Sequence, residues 1–116
     1  MLKKEYRLKK KYQFNYTFKN GQSAGSKHLV IVFTPSNNKN IKIGLAVTKK
    51  VGKAFMRNKI KRQIRSAIAP MLSNLKPKYN LIIVARPNIV NTPYKEIESE
   101  INYLIKKANL SNEKSN

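Results

Sequence analysis

The residues best equipped for chemistry in this chain lie in one run, KKVGKAFMRNKIKRQIR, residues 49–65. Eight of its seventeen residues are basic: Lys49, Lys50, Lys53, Arg57, Lys59, Lys61, Arg62 and Arg65. None is acidic, and the charges are interleaved with Val51, Phe55, Met56, Ile60 and Ile64. A guanidinium fork holds phosphate oxygens in pairs, and an ammonium holds them as a point charge. Met56, Ile60, Ile64, Ala67 and Met71 share one face at helical spacing. Asn58, Lys61, Arg62 and Arg65, at i, i+3, i+4 and i+7, fall on the other. The spacing predicts a helix that sinks one side into a core and shows a cationic stripe outside. Such a stripe is suited to phosphate.

The charge of the whole chain agrees. Lys and Arg number 25 against 5 acids, a formal net charge of +20 on 116 residues. The acids are Glu5, Glu96, Glu98, Glu100 and Glu113, so residues 6–95 hold no carboxylate side chain. Paired-carboxylate glycosidase sites, Asp-supported triads and carboxylate metal cages all need acids that this span lacks. Cysteine is absent and His28 is the single histidine, which argues against zinc sites and thiol nucleophiles. His28 borders an apolar run and is expected to be structural or exposed. The chain does not read as an enzyme carrying its own catalytic groups.

Stepping outward from the stripe, the elements that must position it read as α+β. Residues 29–34 (LVIVFT) and 41–48 (IKIGLAVT) are predicted strands joined by a polar loop. In the second, Ile41, Ile43, Leu45 and Val47 alternate with Lys42, Gly44, Ala46 and Thr48, as a half-buried ladder does. The basic helix follows from about Ala54 to Ala69, with Pro70 ending or kinking it. YNLIIVAR, residues 79–86, is apolar on both alternating sets and predicts a strand covered on both faces. A last helix follows Thr92-Pro93, read as N-cap and first-turn residue, with Ile97, Ile101, Leu104, Ile105 and Ala108 as its buried stripe. Residues 12–18 are ambiguous, with pattern alone leaning slightly to a strand. Tyr12, Phe14, Tyr16 and Phe18 alternate as in a strand, yet they also form two i, i+4 pairs of a helix that Gly21 would stop. Length and composition fit one domain over residues 1–116, with a basic arm at about 1–10 and a frayed tail at about 110–116. No apolar run approaches the ~20 residues of a membrane span. No secretory signal is visible either, so a cytoplasmic location is expected.

The run at residues 49–65 resembles the Arg-Asn-Arg signature helix of the protein component of bacterial ribonuclease P, with its lead-in. RLKKKYQFNYTFKNG at 7–21 is similar to that family's opening, and IGLAVTKKVG and LIIVAR fall at the expected places. The likeness runs from about Arg7 to Ala108. It implies an α–β sandwich like the second domain of ribosomal protein S5, in the order αβββαβα. It also implies a helix at the ambiguous segment and a left-handed βαβ crossover against the usual right-handed rule. By function it implies a partner of a catalytic RNA that cleaves the 5′ leader from precursor tRNA. Catalysis and Mg2+ would be carried by the RNA, with no metal or cofactor on protein side chains.

On this resemblance Lys49, Lys50, Lys53, Arg57, Asn58, Lys59, Arg62 and Arg65 are expected to hold the RNA subunit. Phe14, Phe18, Val32 and Lys61 are expected to line a cleft for the single-stranded leader, with core packing as the alternative for the rings. Lys3, Lys4, Lys9, Lys10 and Lys11 could be a generic basic arm. Three positions depart from the pattern. Lys59 stands where a second Arg is usual, Val32 where an aromatic is common with Phe33 on the opposite face, and Gln13 where an acid often precedes the first Phe. A small ribosomal protein or RNA-binding assembly factor fits charge and size equally well, and a self-sufficient nuclease fits poorly for want of acids.

Overall fold

Residues 2–112 are described in the computed structural model. Helix α1 (Lys11–Asn20) leads into three strands, β1 (Gln22–Gly25), β2 (Leu29–Pro35) and β3 (Lys42–Ala46). Helix α2 (Ala54–Ile68), strand β4 (Tyr79–Ala85) and helix α3 (Tyr94–Lys107) complete the order αβββαβα. The sheet runs β1-β2-β4-β3. β2 pairs antiparallel with β1 and β4, while β3 lies parallel to β4 and reaches it through α2.

The period of two along each strand divides the layers. Leu29, Ile31 and Phe33 of β2, Ile43 of β3, and Leu81, Ile83 and Ala85 of β4 enter one core with Ile60, Ile64 and Ile68 of α2 and Ile97, Ile101 and Leu104 of α3. Phe33 meets Tyr79 edge-on at 6.2 Å between ring centres. The opposite face carries the row Ser23–Val32–Ile82–Gly44, and α1 lies across it. Ile82 is fully buried there, so β4 is covered on both faces as its apolar run predicts.

The ambiguous segment is a helix. As a strand it would turn four rings toward a sheet face already filled by Val32 and Ile82. As a helix it turns only Thr17 fully inward, and the Thr17 hydroxyl donates to Gln13 O at 2.8 Å, so its burial leaves no donor unsatisfied. Gly21 ends α1, but with φ −80° rather than the left-handed conformation associated with glycine caps. Its requirement is space. A Cβ there would lie 2.5 Å from Thr17 O and 2.8 Å from Phe33 O.

Other expectations are refined. β1 is short and its QSAG sequence carries no strand signal. Pro70 stands near the start of a 3-10 turn, residues 69–74, where its missing N–H is no loss. α3 begins one residue later than expected, with Pro93 itself as N-cap; its carbonyl accepts from Glu96 N and Ile97 N, and Thr92 provides no cap. The N-terminal arm is tied down. Leu2 and Leu8 are buried, and Leu8 N donates to Ile43 O at 2.9 Å along the edge of β3. The tail expected to fray from about residue 110 is held through 112: Leu110 is buried and Asn112 N donates to Asn74 O. Residues 1 and 113–116 lie outside the described part.

One polar lock joins the C-terminal helix to the hairpin. Glu100 of α3 accepts from Ser26 Oγ at 2.5 Å and from His28 N at 2.8 Å through Oε1, and from His28 Nδ1 at 2.5 Å through Oε2. Glu96 Oε2 lies 2.9 Å from the same ring nitrogen. His28 is thus structural. Burial alone would raise the Glu100 carboxyl, but the bonds from the His28 ring, the Ser26 hydroxyl and the His28 N–H, with the charge of His28, outweigh it and hold the group below its ordinary 4.5. A depressed carboxylate stabilises the fold fully above its unfolded value, and that contribution fades as pH falls through the folded value.

Two outcomes are expected. Gly21→Ala should destabilise the protein by about 1–3 kcal/mol, the range for forcing atoms into a packed site, in urea unfolding at neutral pH. Unfolding midpoints of the native sequence should fall on acidification through 4.5 and below, and Glu100→Gln should be less stable at neutral pH with a flatter acid limb. Parallel acid limbs for the two proteins would show that Glu100 does not supply the slope.

Candidate RNA interface

The basic helix starts where Gly52 takes φ +153°, a conformation that side-chain-bearing residues rarely adopt. Lys53 then serves as N-cap without a side-chain hydrogen bond to the first turn. The opening N–H groups of α2 are therefore uncapped by side chains, beside the exposed Lys49, Lys50 and Lys53. Uncapped amides, the helix dipole and ammonium groups all favour an anion.

Along α2 the expected buried stripe holds: Ile60, Ile64 and Ala67 are almost fully enclosed, with Met56 and Met71 packed at the margin. Phe55, by contrast, is 70% exposed and belongs to the surface. The cationic face divides in two. Asn58, Lys59 and Arg62 are exposed, whereas Arg57, Lys61 and Arg65, at i, i+4 and i+8, are half-buried along one flank. Arg57 Nε is enclosed without a hydrogen-bond partner. A guanidinium N–H so placed invites an acceptor, because a buried unsatisfied donor costs ~1–3 kcal/mol.

Lys61 and Arg65 face a cavity of about 430 Å3 along the edge of β3. Phe14 of α1 forms its other wall, with Ile43, Gly44 and Leu45 of β3, and the N-terminal residues Arg7, Leu8 and Lys9 contribute to the lining. Gly44 explains how the ring fits. A Cβ on Gly44 would lie 2.5 Å from Phe14 Cζ and 2.6 Å from Cε1, so only a glycine lets the ring sit this close to the strand. The result is an apolar ring and four basic side chains around one recess, a combination that accepts a base and its phosphate together.

The residues expected at a leader cleft are only partly united. Phe14 and Lys61 line the same cavity, and Arg65, expected with the other group, joins them. Phe18, one turn beyond Phe14, is 47% exposed, which removes core packing as the role of its ring. Val32 is a correction. It is 9% exposed, on the row that α1 covers, and offers a ligand little surface. Phe33 is no substitute, because strand alternation sends it into the core. Half-open positions on the same sheet face are Val30 and Val84, one register step away.

Among the described residues, the group of His and carboxylate side chains close enough to share an ion is His28, Glu96 and Glu100, whose ligand atoms lie within 4.8 Å of one another. The composition argument missed this cluster because both acids come from beyond the acid-free span. Here the three are bound to each other as the lock between α3 and the hairpin. No helix of the described residues is long and apolar enough to cross a membrane.

Comparison with known proteins accounts for the fold and the family. The model of the ribonuclease P family matches residues 2–109. The chain is 38% identical over 110 residues to the ribonuclease P protein component of Oceanobacillus iheyensis, covering 94% of this chain and 91% of that protein. It is 36% identical to that of Clostridium novyi, covering 96% and 100%. The solved ribonuclease P protein of Staphylococcus aureus superposes with a TM-score of 0.81 at 31% identity, over 92% of this chain and 98% of that one. A ribosomal protein or a free-standing nuclease is thereby set aside. With fold, basic helix and cleft all carried within the matched span, the chain belongs to the ribonuclease P protein family, as the accessory protein component that partners the ribonuclease P RNA in a ribonucleoprotein endoribonuclease.

Proposed function

We propose that this subunit divides its RNA contacts between the two flanks of α2. The exposed flank, Asn58, Lys59 and Arg62, with Lys49, Lys50 and Lys53 at the uncapped helix start, grips phosphates and riboses of the RNA subunit. Arg57 begins the inner flank with its Nε enclosed, and the open part of its guanidinium reaches the RNA subunit from there. The inner flank, Lys61 and Arg65, faces Phe14 across the β3 edge and takes the 5′ leader of precursor tRNA, with Phe18 one turn along. The carrying observation is the Phe14 ring seated over Gly44 in a recess that Lys61 and Arg65 line together with Arg7 and Lys9. Stacking on a ring tolerates any base and cations tolerate any backbone, so leaders of different sequence are served alike. The protein positions the precursor, and the hydrolytic chemistry would be supplied by Mg2+ held on the RNA. The absence of carboxylates from residues 6–95 suits this arrangement, since the protein face does not compete for the ions. The assembled enzyme works in the cytoplasm on newly made precursors.

Arg62→Ala should weaken binding to the RNA subunit and shallow the log–log salt dependence by roughly one unit or less per lost phosphate contact. Arg62→Lys should recover only part of the affinity, since the forked geometry is lost. Filter-binding titrations over a salt series check both, and an unchanged slope in Arg62→Ala would return this flank to plain solvation.

Gly44→Ala tests the cleft. Because Phe14 is half-exposed, its ring can swing out at little cost to the fold. The thermal midpoint should therefore change little, while holoenzyme affinity for precursor tRNA falls by ~1–3 kcal/mol, the worth of a lost stack. Mature tRNA, which has no leader, should bind as before. Equal losses for both ligands would place the ring outside the leader path.

A further inference from the structure

We infer that Tyr12 and Tyr16 form a second stacking station on α1, which receives the part of the leader farther from the cleaved bond than the part at Phe14. The inference rests on the leader reading above and extends its path over α1. Six large apolar side chains are exposed among the described residues, and three of them, Tyr12, Tyr16 and Phe18, stand on this one ten-residue helix. Tyr12 and Tyr16 are 64% and 58% exposed, far beyond what packing needs. At 100° per residue, the Tyr12–Tyr16 pair lies on the side of α1 away from the Phe14–Phe18 pair. The two pairs flank the helix like two steps.

The ridge between them is made for backbone. Opposite the buried Thr17 lie Lys11, Asn15 and Lys19, at i, i+4 and i+8, all exposed. A strand crossing from the phenylalanines to the tyrosines passes over these two ammonium groups and one amide. Helix and side chains together are only ~10–12 Å across, a distance of a few nucleotides.

Beyond the ridge, the tyrosines border a recess of about 230 Å3 lined by Gln13, Thr34, Ser36 and Asn80. This is below the ~300 Å3 at which small-molecule sites begin, and suits one flat group. Its polar wall is already ordered. Asn38 donates to Asn80 Oδ1 at 2.7 Å and to Tyr79 O at 3.1 Å, and Ser36 Oγ donates to Asn38 Oδ1 at 3.1 Å. Carboxamides and hydroxyls can meet the donor and acceptor pattern of any base edge. Lys10 Nζ sits 5.9 Å from the centre of the Tyr12 ring, and no residue from 6 to 95 adds a negative charge. An acidic backbone is drawn here and a basic partner is repelled, which selects RNA.

The test compares precursor tRNAs whose leaders are graded in length from a few nucleotides upward, titrated against the reconstituted holoenzyme. The proteins are the native sequence, Tyr12→Leu/Tyr16→Leu, Tyr12→Phe/Tyr16→Phe and Phe14→Leu. The Leu pair should match the native affinity for short leaders and lose roughly tenfold for long ones, consistent with base–aromatic stacking. The Phe pair keeps the rings and should behave as native. Phe14→Leu should weaken both short and long leaders; if it weakens neither while the Leu pair still shows its length dependence, the Phe14 reading falls and the tyrosine station stands. Equal loss for short and long leaders in the Leu pair, no loss at any length, or a loss in the Phe pair as large as in the Leu pair, would each overturn the inference. Matching thermal midpoints for the double variants guard against a folding defect.

Discussion

Twenty unneutralised positive charges must be held together by something other than ion pairs. Among the described residues, the side-chain ion pairs are those of His28 with Glu96 and Glu100, on α3 and the hairpin rather than on the basic face. Cohesion therefore falls to apolar contact: Ile and Leu side chains from α2, α3, β2, β3 and β4 meet in one cluster with almost no exposure. The same constraint arranges the surface. Lysines and arginines find no acid to pair with across residues 6–95, so their heads turn to solvent, to cavity margins or to backbone carbonyls, as Arg7 does to Leu2 O and Arg86 to Ser26 O. A surface held in this state is poised to gain stability from any polyanion that binds the folded form alone.

This constraint gives the division of α2 its meaning. One helix has only so much circumference, and the core claims the arc of Ile60, Ile64 and Ala67. The remaining arc is shared between a solvent flank and a flank pressed against the β3 edge. Cations on the second are half-buried and directed by their neighbours, so they are less free to reorient than those on the first. Under the proposed division, one run of residues serves two RNA surfaces from two arcs of one helix.

The sequence was most legible where periodicity was long. The buried stripe of α2, the ladder of β3 and the doubly covered β4 all follow from spacing. β1 was not visible, because Gln22-Ser23-Ala24-Gly25 has neither alternation nor β-branched residues, and its place is set by the partner strand. Alternation at Tyr12–Phe18 pointed slightly the wrong way, because these rings are not core residues and periodicity rules assume that apolar side chains seek the interior. Val32 failed as a cleft residue for a related reason: matching a family position says which face a strand residue takes, not whether a helix lies over it. Gly44 carried no signal of its own beyond a gap in a ladder, and its importance is visible only once the Phe14 ring is seen above it.

β4 holds a place in the sheet that has a consequence in time. It pairs with β2 on one side and β3 on the other, across separations such as Val32 to Ile82 and Ile43 to Leu81. Until it is synthesised, the hairpin of β1 and β2 and the strand β3 share no ladder, and the apolar side of α2 has little to rest on. A nascent chain that has emerged only through the basic helix thus carries the charges without the frame that separates its two flanks. Such long-range pairing slows folding. It also means that the frame holding the two flanks of α2 apart arrives late in translation, after residue 85, rather than gradually with each added lysine.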